Sequence, residues 1–237
     1  MKNKAGTINH ELKNNYASSN NINVADIYLE AIYRLQEAYS IARTSMIAKE
    51  IGVKPGTVTK MLTKLVREGL IEHSPREGIT LSKLGYYRAT QLVRKQRILE
   101  TYLHSREKID PYDACIKSRK MILEVPSYLL DKIDASLGYP STCPHGNPIP
   151  GRHSRIKDSI SLLSVKPGET YKIVRIKGIP RFCIGFLKEN SLYVGFRLYV
   201  NYVGRGHVEA DTYLGDVLKR KQLQIPHHVA NIIMVEA

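Results

Sequence analysis

Residues 44–81 read TSMIAKEIGVKPGTVTKMLTKLVREGLIEHSPREGITL and predict two helices joined by a tight turn and followed by a short hairpin. Thr44 or Ser45 is a candidate cap for the first helix, and Gly52 suits a left-handed residue at its end. Pro55 is tolerated in the first turn of the second helix, where its missing amide hydrogen would have had no partner. With Gly69 ending the second helix, this order predicts a winged helix-turn-helix.

The second helix has two chemically different faces. Val58, Leu62, Leu65 and Val66 recur at the spacing of a stripe that a helix buries. The other face carries hydroxyls and cations, which in a major groove can reach base edges and phosphates. We expect Thr57, Thr59 and Lys60 to contact bases, and we expect the DNA backbone to be contacted by Lys54, Lys64, Arg67 and, at the hairpin tip, Arg76.

Net charge indicates the same partner. The chain has a formal charge of +14, and residues 44–108 hold thirteen Lys or Arg against six Asp or Glu, a local excess of 13 − 6 = 7. Such an excess favours a polyanionic partner, and the helix geometry favours double-stranded DNA. No apolar run has the length of a membrane span, and the three cysteines are widely separated. We therefore expect a cytoplasmic protein, and the sequence shows no phosphate loop or nucleophile elbow of an enzyme.

Composition divides the rest of the chain. Residues 1–23 are polar and predict a flexible arm, 24–90 the winged helix-turn-helix, and 91–151 a helical dimerisation domain. Residues 152–158 predict a linker. Residues 159–237 contain short β-branched and aromatic segments at 170–176, 195–203, 207–213 and 231–235, while 182–192 suits a helical turn or another strand. The fold class is thus mainly α in the N-terminal part, followed by a small SH3-like β-barrel.

The chain from about residue 24 to the end resembles the iron- and manganese-dependent repressors of the diphtheria-toxin-repressor type. The resemblance rests on Tyr28-Leu-Glu-Ala-Ile-Tyr33, on Thr57-Val-Thr59 and, most specifically, on His145-Gly-Asn-Pro-Ile-Pro150. It implies a homodimeric transcriptional repressor that binds a palindromic operator when divalent iron or manganese orders its helices. It also implies that the C-terminal barrel is of the FeoA-like kind.

The metal ligands that the resemblance implies are mostly replaced in this sequence. Ligand positions of the family correspond to Ile27, Gln96, Ser118 and Arg119, none of which is a usual ligand for these ions. Glu30, Glu100 and Cys115 remain able to bind a metal. In one interpretation a weaker site persists and recruits His104, one turn beyond Glu100. In the other, which we favour, Arg119 supplies the missing positive charge by pairing with Glu100 or Glu30.

Three further possibilities follow from the sequence. Cys143-Pro-His145 and His227-His228 contain metal-binding residue types, but without a second ligand pair we interpret them as structural. Cys115 would be a redox sensor if Arg119 lowered its pKa, although a buried, inert thiol is the more common case. The alternative function is an abundant architectural DNA-binding protein, which would bind with little sequence preference and with steep salt dependence.

Overall fold

The computed structural model describes residues 24–74, 77–154, 158–214 and 217–236, so the predicted arm at 1–23 and the predicted phosphate contact Arg76 lie outside the described residues. The described chain begins with six helices and a two-stranded hairpin. In chain order these are α1 (Val24–Tyr39), α2 (Thr44–Ile51), α3 (Pro55–Arg67), β1 (Ile71–Ser74), β2 (Gly78–Leu81), α4 (Lys83–Ser105), α5 (Pro111–Met121) and α6 (Ser127–Ser136). No helix among these residues is both long and apolar enough to cross a membrane.

The winged unit, α1 to β2, follows the sequence closely. Gly52 ends α2 with φ +79°, and Pro55 occupies the first turn of α3. The prediction that Thr44 or Ser45 caps α2 is wrong, because Arg43 holds the cap position and makes no capping side-chain bond. The hairpin pairs β1 with β2 in antiparallel register from Ile71–Leu81 to Ser74–Gly78.

Long helix α4 links the winged unit to the remaining helices. Ser82 accepts a hydrogen bond from the amide of Gly85 at 3.1 Å and so caps α4. Asp110 caps α5 by accepting from the amides of Tyr112 and Asp113. A small core that includes Ile98, Leu99, Ile122, Leu130 and Ile149 packs α6 and the 141–150 loop against α4. Helix α4 contacts α1, α5 and α6, so it joins the winged unit to the helices that follow it.

The C-terminal residues form a single antiparallel sheet. Its strands are β3 (Ile160–Ser161), β4 (Thr170–Ile176), β5 (Arg197–Val203), β6 (His207–Leu214), β7 (Val217–Pro226) and β8 (Ile233–Glu236), arranged as β3-β8-β4-β5-β6-β7. Helix α7 (Arg181–Glu189) settles the ambiguous segment at 182–192 as helical, and the short helix α8 (His227–Ala230) precedes β8. The sequence analysis missed β3 and β7.

The sheet is compatible with an SH3-like domain, as predicted. Register shifts in β4, β5 and β6 bend it, since a bulge increases local twist and curvature. Within the described residues no ladder joins β3 to β7, so the sheet is curved but not closed by hydrogen bonds into the barrel we predicted. Ala38, Tyr112 and Cys115 belong to the same buried cluster as the sheet's apolar side chains, so the helices and the sheet share a core.

Candidate nucleic-acid interface and candidate metal centre

The predicted DNA-contacting residues form one exposed surface of α3. Lys54, Thr57, Thr59, Lys60, Lys64 and Arg67 are all exposed, while Val58, Leu62 and Leu65 are buried against the winged unit. Val66 was predicted to lie in the buried stripe, but it is 45 % exposed. Its position, between Leu65 and Arg67, lies at the margin of the stripe rather than at its centre. The face offered to solvent is therefore wider and more apolar than the sequence suggested.

Two threonine hydroxyls on this face are engaged within the helix. Thr59 Oγ1 donates to the carbonyl of Pro55 at 3.1 Å, and Thr63 Oγ1 donates to the carbonyl of Thr59 at the same distance. Lys64 lies 3.7 Å from Glu68 in an exposed pair that solvent screens. The cations of α3 are thus free to meet a polyanion.

A second polar cluster is buried where α1, α4 and α5 meet. At its centre lies Arg34, whose side chain is 3 % exposed. Its Nη2 donates to Glu30 Oε1 at 2.6 Å and to Gln96 Oε1 at 2.9 Å, and its Nη1 donates to the carbonyl of Gly178 at 3.2 Å. The guanidinium therefore joins α1, α4 and the segment that follows β4.

The amide of Gln96 is oriented by these contacts. Because a guanidinium only donates, the amide oxygen must face Arg34 and the amide nitrogen must point away. That nitrogen donates to Glu100 Oε2 at 2.7 Å and to Ser118 Oγ at 2.8 Å, and it lies 3.8 Å from Cys115 Sγ. Donor hydrogens, rather than lone pairs, point at the predicted ligands.

Glu100 continues the cluster toward the 141–150 loop. Its Oε1 lies 2.6 Å from His145 Nδ1, and because a carboxylate only accepts, Nδ1 carries the hydrogen. Burial acts to raise the pKa of Glu100, but the interaction with His145 and the hydrogen bond from Gln96 outweigh it, so the pKa lies below its ordinary value. His145 also packs on the Tyr112 ring, with centroids 4.8 Å apart.

His145 Nε2 is buried and has no hydrogen-bond partner in the described part of the chain. Glu100, Cys143 and His145 each offer a ligand atom, and these three atoms lie within 4.8 Å of one another. The three side chains are buried, and burial raises the pKa of the Cys143 thiol well above its ordinary value. The sequence alone predicts Cys143 and His145 to be structural loop residues, and only the folded chain brings them to Glu100.

Arg119 does not make the predicted contact. It was expected to pair with Glu100 or Glu30, but its Nη1 donates to Glu50 Oε1 at 3.1 Å and its Nη2 donates to the carbonyl of Ile179 at 2.5 Å. Arg34, one turn after Glu30, makes the pair with Glu30 instead. Burial raises the pKa of the Cys115 thiol and outweighs the charge of Arg119, which acts to lower it, so the low-pKa thiol that the redox-sensor alternative requires is absent at this position.

The positions to which the resemblance assigns a metal do not fit a divalent cation. Ile27 has no ligand atom, the charge of Glu30 is already offset by Arg34, and the Gln96 amide directs donor hydrogens toward Glu100 and Ser118. His104, the predicted replacement ligand, has its Nδ1 2.9 Å from the carbonyl of Ile109. The neighbouring set of Glu100, Cys143 and His145 fits better, because its oxygen, sulfur and nitrogen donors suit a first-row transition metal.

A segment of the C-terminal half covers the cluster. Three consecutive contacts hold it: Arg34 to the carbonyl of Gly178, Arg119 to the carbonyl of Ile179, and the amide of Arg181 to Glu50 Oε2 at 2.5 Å. Gly178 has φ +62°, and a Cβ there would lie 2.3 Å from the carbonyl oxygen of Arg34. Ile179 has φ +45°, a costly conformation for a β-branched residue.

Sequence reasoning missed Arg34 and this covering segment. Arg34 lies four residues after Glu30, a spacing that signals an ion pair on one helix face. That spacing is present in the sequence, but ion pairs four residues apart are usually exposed to solvent, so the spacing does not by itself indicate a buried site. The contacts with residues 178–181 span 60 to 144 positions, so no local sequence pattern predicts them.

Comparison with known proteins identifies relatives. Family models described as the N-terminal DNA-binding domain and the metal-binding and dimerisation domain of iron-dependent repressors match residues 22–79 and 82–151. The diphtheria toxin repressor of Corynebacterium efficiens is 28% identical over 134 residues, which cover 55% of this chain and 56% of that protein. The HTH-type transcriptional regulator MntR of Oceanobacillus iheyensis is 36% identical over 76 residues, which cover 32% and 52%. The chain spans about half the length of the curated relatives it matches.

Solved structures resemble most of the chain. A manganese-dependent transcriptional repressor in complex with manganese has a TM-score of 0.71 and 27% identity, covering 90% of this chain and 100% of that one. IdeR of T. acidophilum has a TM-score of 0.73, covering 92% of this chain and 100% of its own, but at 23% identity it supports the fold alone.

Proposed function

Because the chain belongs to the iron-dependent repressor family, we propose that it is a homodimeric transcriptional repressor that binds a specific, palindromic DNA operator. The observation that carries the proposal is the exposed face of α3, which presents threonine side chains and cations to solvent while Val58, Leu62 and Leu65 are buried. A face of this composition matches the donors and acceptors of a major groove.

The residues of this face fall into two groups, according to whether they would reach the bases or the phosphates of the DNA. Thr57, Thr59 and Lys60 lie in the first half of α3, where a recognition helix meets base edges, and we propose that they contact bases. Lys54, Lys64 and Arg67 contact phosphates and fix the register of the helix on the duplex. Two copies related by a two-fold axis would read the two halves of a palindrome.

Exposed apolar side chains support dimerisation. Tyr128 and Leu129 on α6 are 67 % and 39 % exposed, and Tyr139 just beyond α6 is 63 % exposed. These residues belong to the helices predicted to form the dimer. Large apolar side chains left exposed in this segment favour contact with another protein chain.

For the cofactor we propose a displaced site. Glu100, Cys143 and His145 would hold a first-row transition metal such as zinc, iron or manganese, with the free lone pair of His145 Nε2 as the nitrogen donor. A bound cation would add positive charge beside Glu100 and tie the 141–150 loop to α4. Because Cys143 must lose its proton on binding, metal affinity should rise with pH.

One experiment tests the repressor and its metal response together. Purified protein is titrated onto its own upstream DNA and onto a scrambled duplex at fixed salt, first with chelator and then with Mn(II) or anaerobic Fe(II). We expect a marked preference for the upstream DNA that persists in chelator. Equal affinity for both duplexes would support the architectural alternative that the +14 charge allows. Binding that requires metal would instead give the displaced site control of the repressor.

A further inference from the structure

Arg34 is linked, directly or through Gln96, to all three predicted metal ligands, Glu30, Glu100 and Cys115. Glu30 pairs with it, Gln96 accepts from it, and through the Gln96 amide it is joined to both Glu100 and Cys115. A buried cation with these neighbours does what a bound metal ion does, because it offsets carboxylate charge and fixes several elements around one point. The guanidinium also has a fork of five donors, which lets it bridge several acceptors at fixed angles.

The elements joined by Arg34 are those that set the position of the recognition helix. Helix α1, which carries Arg34 and Glu30, shares a buried core with α2 and with the buried stripe of α3. Gln96 belongs to α4, which leads on to the proposed dimer helices. In the proposed dimer, the distance between the two recognition helices therefore depends on how α1 packs on α4. Arg34 contributes the buried Gln96 bond to that contact, alongside the Arg88–Asp26 and Arg97–Glu37 ion pairs.

We propose that Arg34 is a positioning residue for operator binding: an internal cation that stands in for the divalent metal and holds the protein in its DNA-binding arrangement without one. This inference rests on the proposed function. It differs from the sequence-based hypothesis in its residue, because Arg119 is held by Glu50 and Ile179 and does not contact Glu30 or Glu100 through any bond the structure records.

The C-terminal half takes part in the same arrangement. Gly178 accepts from Arg34, and the two contacts next to it, Arg119 to Ile179 and Arg181 to Glu50, come from α5 and α2. The positive φ of Ile179 costs free energy that these contacts must offset. The segment 178–181 therefore covers Arg34, shields it from solvent and accepts one of its hydrogen bonds.

The test replaces Arg34 with Met, which retains length and removes charge, and with Lys, which retains charge. Exposed Arg205→Met is the matched control. In chelator we expect Arg34→Met to lose roughly 5–150-fold in operator affinity, the usual range of a coupling between sites, while Arg34→Lys loses less and the control is unchanged. Arg34→Met with wild-type affinity in chelator would overturn the proposal.

A second variant distinguishes the proposed role of Arg34 from a purely structural one, because this variant is expected to gain metal binding. Arg34→Met combined with Gln96→His restores an imidazole beside Glu30, Glu100 and Cys115. We expect this variant to bind one more Mn(II) per protomer than the wild type, measured by the loss of the free-ion paramagnetic resonance signal, and to recover operator binding with that metal. Loss of affinity in Arg34→Met with neither extra metal nor recovery in the double variant would refute the inference. Failure of the wild type to prefer its operator would instead count against the proposed function.

Discussion

The exposed face of α3 and the buried cluster around Arg34 contain ion pairs of the same sequence spacing, but one pair is exposed to solvent and the other is buried. Each contains a cation and a glutamate four residues apart on one helix. Lys64 and Glu68 are 3.7 Å apart with side chains 58 % and 39 % exposed, whereas Arg34 and Glu30 are 2.6 Å apart at 3 % and 11 %. Solvent leaves the first cation available to a partner, while burial commits the second to the fold. Spacing alone does not distinguish the two.

The largest expected effect comes from removing the carboxylate of each pair. Glu30→Gln leaves the Arg34 charge buried without its ion pair and should lower the free energy of unfolding by about 3–5 kcal/mol. Glu68→Gln, its counterpart on α3, should cost about 0–1 kcal/mol. Chemical denaturation of both variants measures the difference. Equal losses of unfolding free energy would mean that the buried Glu30–Arg34 pair contributes no more to stability than the exposed Lys64–Glu68 pair.

A second prediction concerns the cover over the cluster. Gly178→Ala places a Cβ against the Arg34 carbonyl, while Gly168→Ala, at φ +88°, meets nothing within 4 Å. Both substitutions carry the strain of a positive φ, so their difference isolates the steric overlap. We expect Gly178→Ala to cost about 1–3 kcal/mol more than Gly168→Ala in thermal or urea unfolding. Identical costs would show that the segment 178–181 moves freely away from Arg34.

On the α3 side, Lys60→Ala should weaken operator binding by about 1–3 kcal/mol and relax preference at one base position, without changing stability. Lys166→Ala, an exposed lysine far along the chain, is the control. Fluorescence anisotropy on a set of single-base operator variants provides the measurement. Uniform weakening on every variant would reassign Lys60 to a phosphate contact.

The smallest effect is expected at the cap of α5. Asp110→Ala removes acceptors for two helix amides and for Tyr193 and should cost about 1 kcal/mol. Although burial opposes it, hydrogen bonds from Tyr193 and the amides lower the pKa of Asp110. The ionised group therefore stabilises the fold above the ordinary pKa of aspartate, and this contribution is lost as pH falls through the lowered value. Unfolding measured at neutral and acidic pH should show the two proteins converging; a constant gap would contradict this.

Local pattern was enough to predict the winged unit. The apolar stripe of α3, Pro55 at its start and Gly52 and Gly69 as stops act within a few residues of one another, so their effect is readable from sequence. Strand β4 matched the predicted bounds for the same reason. Val66 was misplaced because helical periodicity does not say how wide a buried stripe becomes after packing.

The buried cluster depended on contacts that local pattern does not contain. Glu100 meets His145 across 45 positions, and Arg34 meets Gly178 across 144. The substitutions at Ile27, Gln96, Ser118 and Arg119 predict that the usual ligand set is incomplete, and this stays a prediction. They did not indicate which arginine would face Glu30, because two cations were available and only packing chooses between them.

If Thr59 contacts a base as we propose, its internal hydrogen bond restricts what the operator can contain. Its hydroxyl hydrogen is donated to the Pro55 carbonyl, so this side chain offers a base edge only oxygen lone pairs and a methyl group. Lone pairs attract the exocyclic amino groups of adenine and cytosine, and a methyl group packs on the 5-methyl of thymine. Guanine presents only acceptors in the major groove and would leave Thr59 without a favourable contact. The base pair beneath Thr59 should therefore be one that turns an amino or methyl group, rather than a guanine edge, toward α3.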